Sequence, residues 1–526
     1  MAVCIPQHIG EPIVAVGRSS VRRFMDVAGF LDWASGTIGA QFWLTPHSSD
    51  WSEMIPTLLN RGVTVSPGKR RGEITMLRVG DRGAQWHGRS ASGIVDVSMG
   101  MSPGDECAAT MAALDEVELE LQGPWPGVTL GTSLASTAIS CFRQHLRRPI
   151  ECDWSISSEL RRTAYGGGRI ECYVRPGSSF SDNALWEIDV HGAYPSAMIG
   201  RDIPGEYRGR AAESDYRNPC TMSSALVHVP ESIAYPPLRI EERGVIYYPT
   251  GTIFGTWSSA ELRAAEIVGC QVRAIHTVHA FSPREEFDTF GRTVIAFRSS
   301  AAGANARRVA KGLAVQLVGA FGSKPATHRL TCYPRARDSY RSEGVGVYSE
   351  ERFQPSDREI ISAACDIVGT VRAWMAATLF SLQSRNLTAL WVHTDGIGVI
   401  GGDPVPSIEM ASETVGAPTS DRWSVSRLQS LEIWAANQRI ATGVDGREKI
   451  TAGGISRDLS AEEIRGQLRR ARETAASTEW MAAKRNFSGG ISIPISYASI
   501  NCHRAAEISK LEQLTRSGDR CDSSAL

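Results

Sequence analysis

No two of the eleven cysteines stand in a C-x-x-C pair, and no Cys/His group has the spacing of a zinc site. That excludes a small zinc module and a disulfide framework, and it points to reduced, unpaired thiols. No run reaches the eighteen or so apolar residues of a membrane span, and the N-terminal stretch lacks a signal-peptide core. A cytoplasmic chain with no membrane partner is therefore expected. Neither sign of charge is in excess. The net charge of −1 excludes a histone-like or tail-driven nucleic-acid binder but leaves room for a local basic channel. Lysine is scarce, six residues against fifty arginines, so each lysine position carries information. Several catalytic signatures are missing too. There is no G-x-S-x-G elbow and no H-E-x-x-H. "SPGKRR" around Lys69 lacks the correctly placed glycine and the trailing Ser/Thr of a phosphate loop, and "GGGR" lacks the helix and acidic partner of a dinucleotide fold.

What is present is ample core material. At 526 residues, 42% hydrophobic and 21% charged, the chain has the composition of a globular protein of roughly three to four compact units. Residues 1–150 hold short apolar runs between Gly/Pro/Ser clusters, such as "EPIVAVG", "GVTVSPG" and "EITMLRVG", which read as strands; a helix is expected near 107–120. From about 151 the texture changes to a Gly-rich knot, "AYGGGRIECY", and a strand, "ALWEIDV". Residues 257–319 read as mostly helical, 324–350 as strand-rich, 357–385 as a long helix and 389–400 as strand–turn–strand. Ser460 and Glu463 have the spacing of a capping box opening a basic amphipathic helix. Basic residues concentrate in two places. Eleven Lys/Arg face five Asp/Glu between Arg284 and Glu343, and a shorter stretch carries Arg143, Arg147, Arg148, Arg161, Arg162 and Arg169. A solvated charged face explains such runs equally well.

Three segments carry chemistry in combination. In "ALWEIDVHGAYPSAM" a strand ends at Asp189 and Gly192 and Pro195 turn the chain, which leaves a carboxylate fixed by a sheet yet open to a hard cation. In "ALWVHTDGIGVI" two apolar runs flank Asp395-Gly396, a hairpin signal that places Asp395 at a tip. Taken singly, each is more often a plain turn or cap. The third, "NARRVAKGLAVQLVGAFG", sets Arg307 and Lys311 four apart on one helical face, beside an apolar face of Val309, Leu313 and Leu317. Two carboxylates and a cationic helix are what nucleotidyl transfer needs: two divalent ions activate the attacking hydroxyl and neutralise pyrophosphate, while Arg/Lys clamp the triphosphate.

These segments resemble the motifs of family B DNA polymerases. "DVHGAYPS" is similar to D-x-x-S-L-Y-P-S, with Asp189, Tyr194, Pro195 and Ser196 in register. "KGLAVQLVGAFG" aligns with K-x-x-x-N-S-x-Y-G at Lys311 and Gly319, and "WVHTDG" stands where the family has Y-x-D-T-D-S, keeping Thr394 and Asp395. "AYGGG" is similar to the Y-x-G-G element of the protein-primed branch of viruses and linear plasmids. The resemblance covers roughly residues 155–455. There are departures. Val315, Gln316 and Val318 replace Asn, Ser and Tyr; His393 replaces the first aspartate and Gly396 the serine; the K-x-Y element falls at Asn437–Arg439 without its named residues.

The resemblance implies an α+β fold: a right-hand polymerase with an antiparallel palm sheet, helical fingers and a thumb, preceded by an α/β, ribonuclease H-like exonuclease domain. The expected map is 1–150 exonuclease-like and degenerate, 151–256 palm, 257–322 fingers, 323–356 a strand-rich insertion, 357–425 palm and 426–526 thumb with C-terminal helices. It implies a template-directed DNA polymerase that serves a viral or mobile-element genome. Asp189 and Asp395 would hold two Mg²⁺, or Mn²⁺. Lys311 and Arg307, with Arg308 and Arg298 as lesser candidates, would bind the triphosphate. Tyr194 would lie under the sugar, and Tyr165, Gly167, Gly168 and Arg169 would guide the template. His393 and Thr394 would be auxiliary. The partners implied are a DNA template-primer, dNTPs and a priming protein. The alternative is a catalytically inactive, polymerase-like DNA-binding scaffold, and behind it an unrelated hydrolase or binding fold.

Residues 1–150 show no D-x-E after a strand and no N-x-x-x-D or Y-x-x-x-D at a workable spacing. The purified protein should therefore lack 3′→5′ exonuclease activity. Shortening of a labelled single strand that depends on an acidic residue of this region would contradict the expectation.

Overall fold

The computed structural model describes residues 101–322 and 360–452 nearly throughout, residues 462–467, and, of 1–97 and 326–353, the strands with a few residues beside them. Residues 2–90 form β1 (Ala2–Cys4), β2 (Ile13–Val16), β3 (Val21–Phe24), β4 (Ala40–Leu44), β5 (Thr64–Pro67), β6 (Ile74–Val79) and β7 (Trp86–Ser90). Next come α1 (Pro103–Leu121), α2 (Leu134–Arg143), α3 (Trp154–Thr163), β8 (Arg169–Cys172), β9 (Ser178–Phe180), β10 (Leu185–Val190) and α4 (Ala193–Met198). They are followed by β11 (Ile203–Arg210), β12 (Thr221–Val229), β13 (Ile240–Glu242), β14 (Val245–Tyr247), β15 (Gly251–Ser258), α5 (Ser259–Ile267) and β16 (Gln271–Arg284). Then α6 (Glu286–Ser300) and α7 (Ala304–Phe321) precede β17 (Ala326–Thr331), β18 (Tyr340–Gly344) and β19 (Val347–Phe353). Last are α8 (Ile361–Ser384), β20 (Thr388–Thr394), β21 (Gly396–Ile400), α9 (Val405–Val415), β22 (Trp423–Ala435), β23 (Gln438–Gly443) and β24 (Glu448–Ala452).

The chain divides into two compact units, Met1–Glu151 with Glu286–Glu359 and Cys152–Glu285 with Ile360–Leu526. The first contains a seven-stranded sheet in the order β3-β2-β1-β4-β7-β6-β5, parallel only at β1/β4 and β4/β7, and a three-stranded antiparallel sheet β17-β19-β18. Its helices meet through aromatics. Phe321 of α7 meets Phe142 of α2 and Phe287 of α6 edge-on, and those two rings lie tilted against each other, with centroids 4.7–6.0 Å apart. The α7 sequence explains its orientation: Ala306, Val309, Leu313, Leu317 and Phe321 recur at helical spacing and are buried, while Arg307, Arg308, Lys311, Val315 and Gln316 are exposed.

The second unit carries the main sheet, wholly antiparallel, in the order β24-β23-β22-β10-β21-β20-β8, with β9 also on β22. A separate four-stranded sheet, β11-β16-β12-β15, adjoins α5. Between them runs α8, of which all but a few residues are buried. By length and composition α8 could cross a membrane, but it is enclosed within its unit and carries the charges of Asp366 and Arg372. It is a core helix. The six described unpaired cysteines are buried, and burial pushes Cys172 and Cys365 up to about 12, so they behave as small apolar fillers.

The strand pairing redraws two expected boundaries. The sequence of 257–319 reads as mostly helical, and α5 and the helices from Glu286 onward agree, but residues 271–284 between them form a strand, β16, because pairing with β11 and β12 on both sides overrides local helical propensity. Residues 423–452 continue the main sheet as β22–β24, so the segment assigned to a thumb from 426 starts as sheet. Residues 468–526 and Ser460 lie outside the described residues, as do most acidic residues of 1–100.

The unit is pinned by buried charge. Arg372 of α8, 1% exposed, donates through Nε to Glu261 Oε1 at 2.9 Å, and Glu261 is 4% exposed. Burial opposes the guanidinium's charge, but the Glu261 carboxylate, Tyr248 and Cys365 together offset this and hold Arg372 above its usual value. Glu261 also closes the capping box of α5 with Ser258, and a Cβ on Gly369 would lie 2.7 Å from both side chains. Removing one partner of such a pair strands the other without solvent. Glu261→Gln should lower the unfolding free energy by about 3–5 kcal/mol in a denaturant titration; a loss below about 1 kcal/mol would show that the pair is not structurally important.

Candidate active site

β10 ends at the sheet's centre, with Asp189 paired to Gly396 of β21, and His393 of β20 pairs with the same glycine from the other side. Directly opposed residues point to one face, so Asp189, Gly396 and His393 form a cross-strand row. The row two residues along is Glu187, Gly398 and Trp391. β21 thus presents two bare glycines to this face, and its neighbours use the space. A Cβ on Gly396 would fall 2.9 Å from Asp189 Oδ1, and one on Gly398 would collide with the Trp391 indole.

The turn that carries Asp395 differs from the expected Asp-Gly loop. Gly396 is already the first residue of β21. Asp395 N–H donates to His393 O at 2.8 Å, an i→i+2 bond, and Thr394 has φ +60°. This is a γ-turn with positive φ at its centre, a rare and strained form, and a β-branched residue occupies its left-handed position. Such strain persists only where neighbours over-determine it. Asp395 O in turn accepts from the N–H of Val190 at 3.0 Å, which ties the turn to the residue after Asp189. The two aspartates are thereby brought to one edge of the sheet.

The Gly-rich knot lies on the other side of this turn. β8 pairs with β20, Arg169 with Thr394 and Ile170 with His393. Gly166 O and Gly167 O accept from Arg372 Nη1 at 3.1 and 2.8 Å, and Arg239 Nη2 donates to Ala164 O. A Cβ on Gly168 would come within 2.7–3.0 Å of three Thr394 atoms, whereas Gly167 is exposed with nothing within 4 Å of its own. Tyr165 and Tyr194 are half-buried nearby. Burial, and next the Asp395 carboxylate, push the Tyr194 hydroxyl up to about 12. Tyr194 sits on α4, whose N-cap Gly192 takes the left-handed conformation the turn after β10 requires.

His393 is half-buried, and burial followed by the charge of Arg439 holds its imidazole down at about 4, so it is neutral near neutral pH. Arg439, one of the residues at the degenerate K-x-Y position, was not expected here. It is buried, donates to Glu187 Oε1 at 3.2 Å and lies 3.6 Å over the Trp391 ring; Lys449 Nζ reaches Glu187 Oε2 at 2.8 Å. An arginine beside a strand of apolar residues gave no signal in the linear sequence, because its partners lie on β10 and β20.

Other expected site residues are placed as follows. Arg169, 1% exposed, is ion-paired with Glu171 and stacks 4.2 Å over Tyr248, so its guanidinium is committed within the unit. Arg308 is engaged by Asp96 at 3.0 Å, and Arg307 Nη1 donates to Ala302 O at 2.8 Å. With Lys311 they line the exposed stripe of α7, in the first unit. Among the described residues no three His, Cys, Asp or Glu side chains form a metal cluster. A pair of carboxylates is nonetheless a fitting donor set for Mg²⁺, which takes one or two carboxylates and completes its shell with water and substrate phosphates.

No family model matches the sequence, and no curated protein does. Solved structures do match the fold. Phi29 DNA polymerase in ternary complex with primer-template DNA and incoming nucleotide aligns with a TM-score of 0.62 at 12% identity, over 85% of this chain and 89% of that one. Its binary complex with primer-template DNA gives 0.60 at 13%, and an orthorhombic crystal form gives 0.61 at 12%, each over 88% of this chain and 93% of that one. The chain has this mixed α/β fold; at such identity the likeness is one of fold alone.

Gly396→Ala tests the row directly. The added methyl must displace Asp189 Oδ1 or spread β10 from β21, at a cost of about 1–3 kcal/mol. The expected outcome is a folded protein with a lowered denaturation midpoint and weakened divalent-ion binding; unchanged ion binding would mean that the Asp189 carboxylate does not depend on the bare Cα.

Proposed function

We propose that the protein is a template-directed DNA polymerase that extends a 3′-hydroxyl by nucleotidyl transfer. The observation that supports this best is the joining of Asp189 and Asp395 at one sheet edge by the Val190–Asp395 hydrogen bond. The sequence resemblance and a fold shared with Phi29 DNA polymerase point the same way. In the reaction the hydroxyl oxygen attacks the α-phosphorus of a deoxynucleoside triphosphate. A P–O bond forms, the bond to the β-phosphate oxygen breaks, and pyrophosphate leaves while the hydroxyl proton passes to solvent. Two divalent ions, when bound, would lower the pKa of the hydroxyl and offset the charge of the leaving pyrophosphate. Asp189 and Asp395 hold that positive charge in place.

The chain's other residues bind and orient. Tyr194, whose hydroxyl feels the charge of Asp395, limits the room for a ribose 2′-hydroxyl. Lys311 and Arg307 bind the triphosphate from the exposed stripe of α7. Tyr165 and the open edge of Gly167 receive the template strand. His393 adds a donor or acceptor without charge. On the same reading the protein belongs to the protein-primed branch, serves a viral or mobile element in the cytoplasm, and lacks proofreading. The second reading, an inactive DNA-binding scaffold, is favoured by one observation: the position before Thr394 holds a neutral imidazole where the resembling family has a carboxylate.

Asp189→Asn and Asp395→Asn separate the two. Each should cut incorporation in a primer-extension assay with Mg²⁺ or Mn²⁺ by about a thousandfold or more, since each removes a charged ligand from a site built to neutralise charge. DNA affinity should change little, because it rests on phosphate contacts elsewhere. Wild-type protein that extends no primer with either ion supports the scaffold, and full activity in either variant removes that aspartate from the mechanism.

A further inference from the structure

We propose that the Gly-rich knot is a positioning element for Asp395: Thr394 rests on the bare Cα of Gly168, and that contact sets the turn that carries the carboxylate. The inference rests on the assignment of Asp395 as a metal-holding group. Three observations support it.

The first is the turn's strain. Thr394 at φ +60° is held in a conformation it would leave if free, and the Asp395 N–H to His393 O bond alone closes a three-residue loop. Something outside the hairpin must hold it. The second is the closeness of the contact. A Cβ on Gly168 would lie 2.7 Å from Thr394 Cγ2 and 3.0 Å from both Cβ and Cα. Because the Cα belongs to the backbone, no rotamer change relieves the clash; the turn itself must move. The third is that the knot is immobilised from behind. Arg372 Nη1 donates to the carbonyls of Gly166 and Gly167, and Arg372 is itself fixed by buried Glu261. A flexible segment would yield to Thr394, but this one transmits position from the core helix to Asp395.

The consequence is a linkage between two tasks. The residue next to Gly168, Gly167, is exposed, and a Cβ there would meet no other atom within 4 Å. Whatever presses on the knot there shifts the support of Thr394, and so of the metal-holding carboxylate. Gly168 and Arg372 are positioning residues in this scheme: they act on the carboxylate through Thr394.

The test measures Mn²⁺ binding to the full chain by electron paramagnetic resonance, without DNA or nucleotide, so that it does not depend on turnover. Wild type and Asp395→Asn come first; wild-type binding that the substitution weakens is expected. If the two bind alike, Asp395 holds no metal, and both the site assignment and this inference fall. Gly168→Ala should then raise the half-saturating Mn²⁺ concentration by about tenfold or more, the scale on which groups that orient a ligand act, with the thermal midpoint lowered by only a few degrees. Wild-type affinity in Gly168→Ala overturns the positioning role alone and leaves the site assignment standing. If Gly168→Ala does not fold, Thr394→Gly probes the same contact from the other side and should weaken binding about threefold; no change would overturn the inference. The double variant Gly168→Ala/Thr394→Gly should bind no worse than Thr394→Gly, because both substitutions act through one contact. Additive losses would mean that the two residues act separately.

Discussion

A charged guanidinium in the middle of an apolar helix is the constraint on which the second unit is organised. Arg372 cannot shed its charge and cannot reach water, so acceptors must be brought to it. The ones present come from distant stretches of chain: the carboxylate of Glu261 on α5 and the carbonyls of Gly166 and Gly167 ahead of β8. One side chain thus sets the distance of the four-stranded sheet's helix, the core helix and the main sheet's edge from one another. The interaction is poor as a source of net stability, since desolvation offsets much of the attraction. Its value is specificity: few other arrangements satisfy that many donors.

From this anchor, order passes outward to the candidate site in short steps. The knot is held by the guanidinium, Thr394 rests on the knot, and Asp395 follows Thr394. On the opposite side Val190 reaches the Asp395 carbonyl and keeps Asp189 in register with it. A second buried cation, Arg439, does for the far side of the sheet what Arg372 does for the near side. It gathers Glu187, Trp391 and the field around His393. Arg439 and Lys449 match Glu187 on this face, and the charge of Arg439 is also felt by Asp189, the next carboxylate along β10.

What the linear sequence revealed followed from local chemistry. β10, the β20–β21 hairpin, α7 and α8 were all legible, because apolar periodicity and turn residues are properties of neighbouring positions. Asp189 and Asp395 stood out for the same reason, each at the end of an apolar run. The errors lie where distant chain decides. Residues 271–284 were misread because a strand paired on both sides is specified by its partners. The burial of Arg169 could not be read from its neighbours either, because a basic residue beside a glycine cluster looks exposed until Glu171 and Tyr248 close around it. The Asp-Gly pair was read as the loop itself, whereas the packing of Thr394 on Gly168 moves the turn one residue back. Arg439 was missed altogether, since the partners that explain it are more than forty positions away.

The glycines of β21 carry a consequence for how this sequence can change over time. The side-chain volumes that Gly396 and Gly398 forgo are already filled, one by Asp189 and the other by Trp391. Neither glycine is required by its own backbone angles, so neither is locked by the strand it belongs to. Position 398 becomes free to vary only after position 391 has shrunk, and the reverse order passes through a collision. Substitution here has a direction: lineages that keep the tryptophan must keep the glycine, and the pair should drift together or not at all.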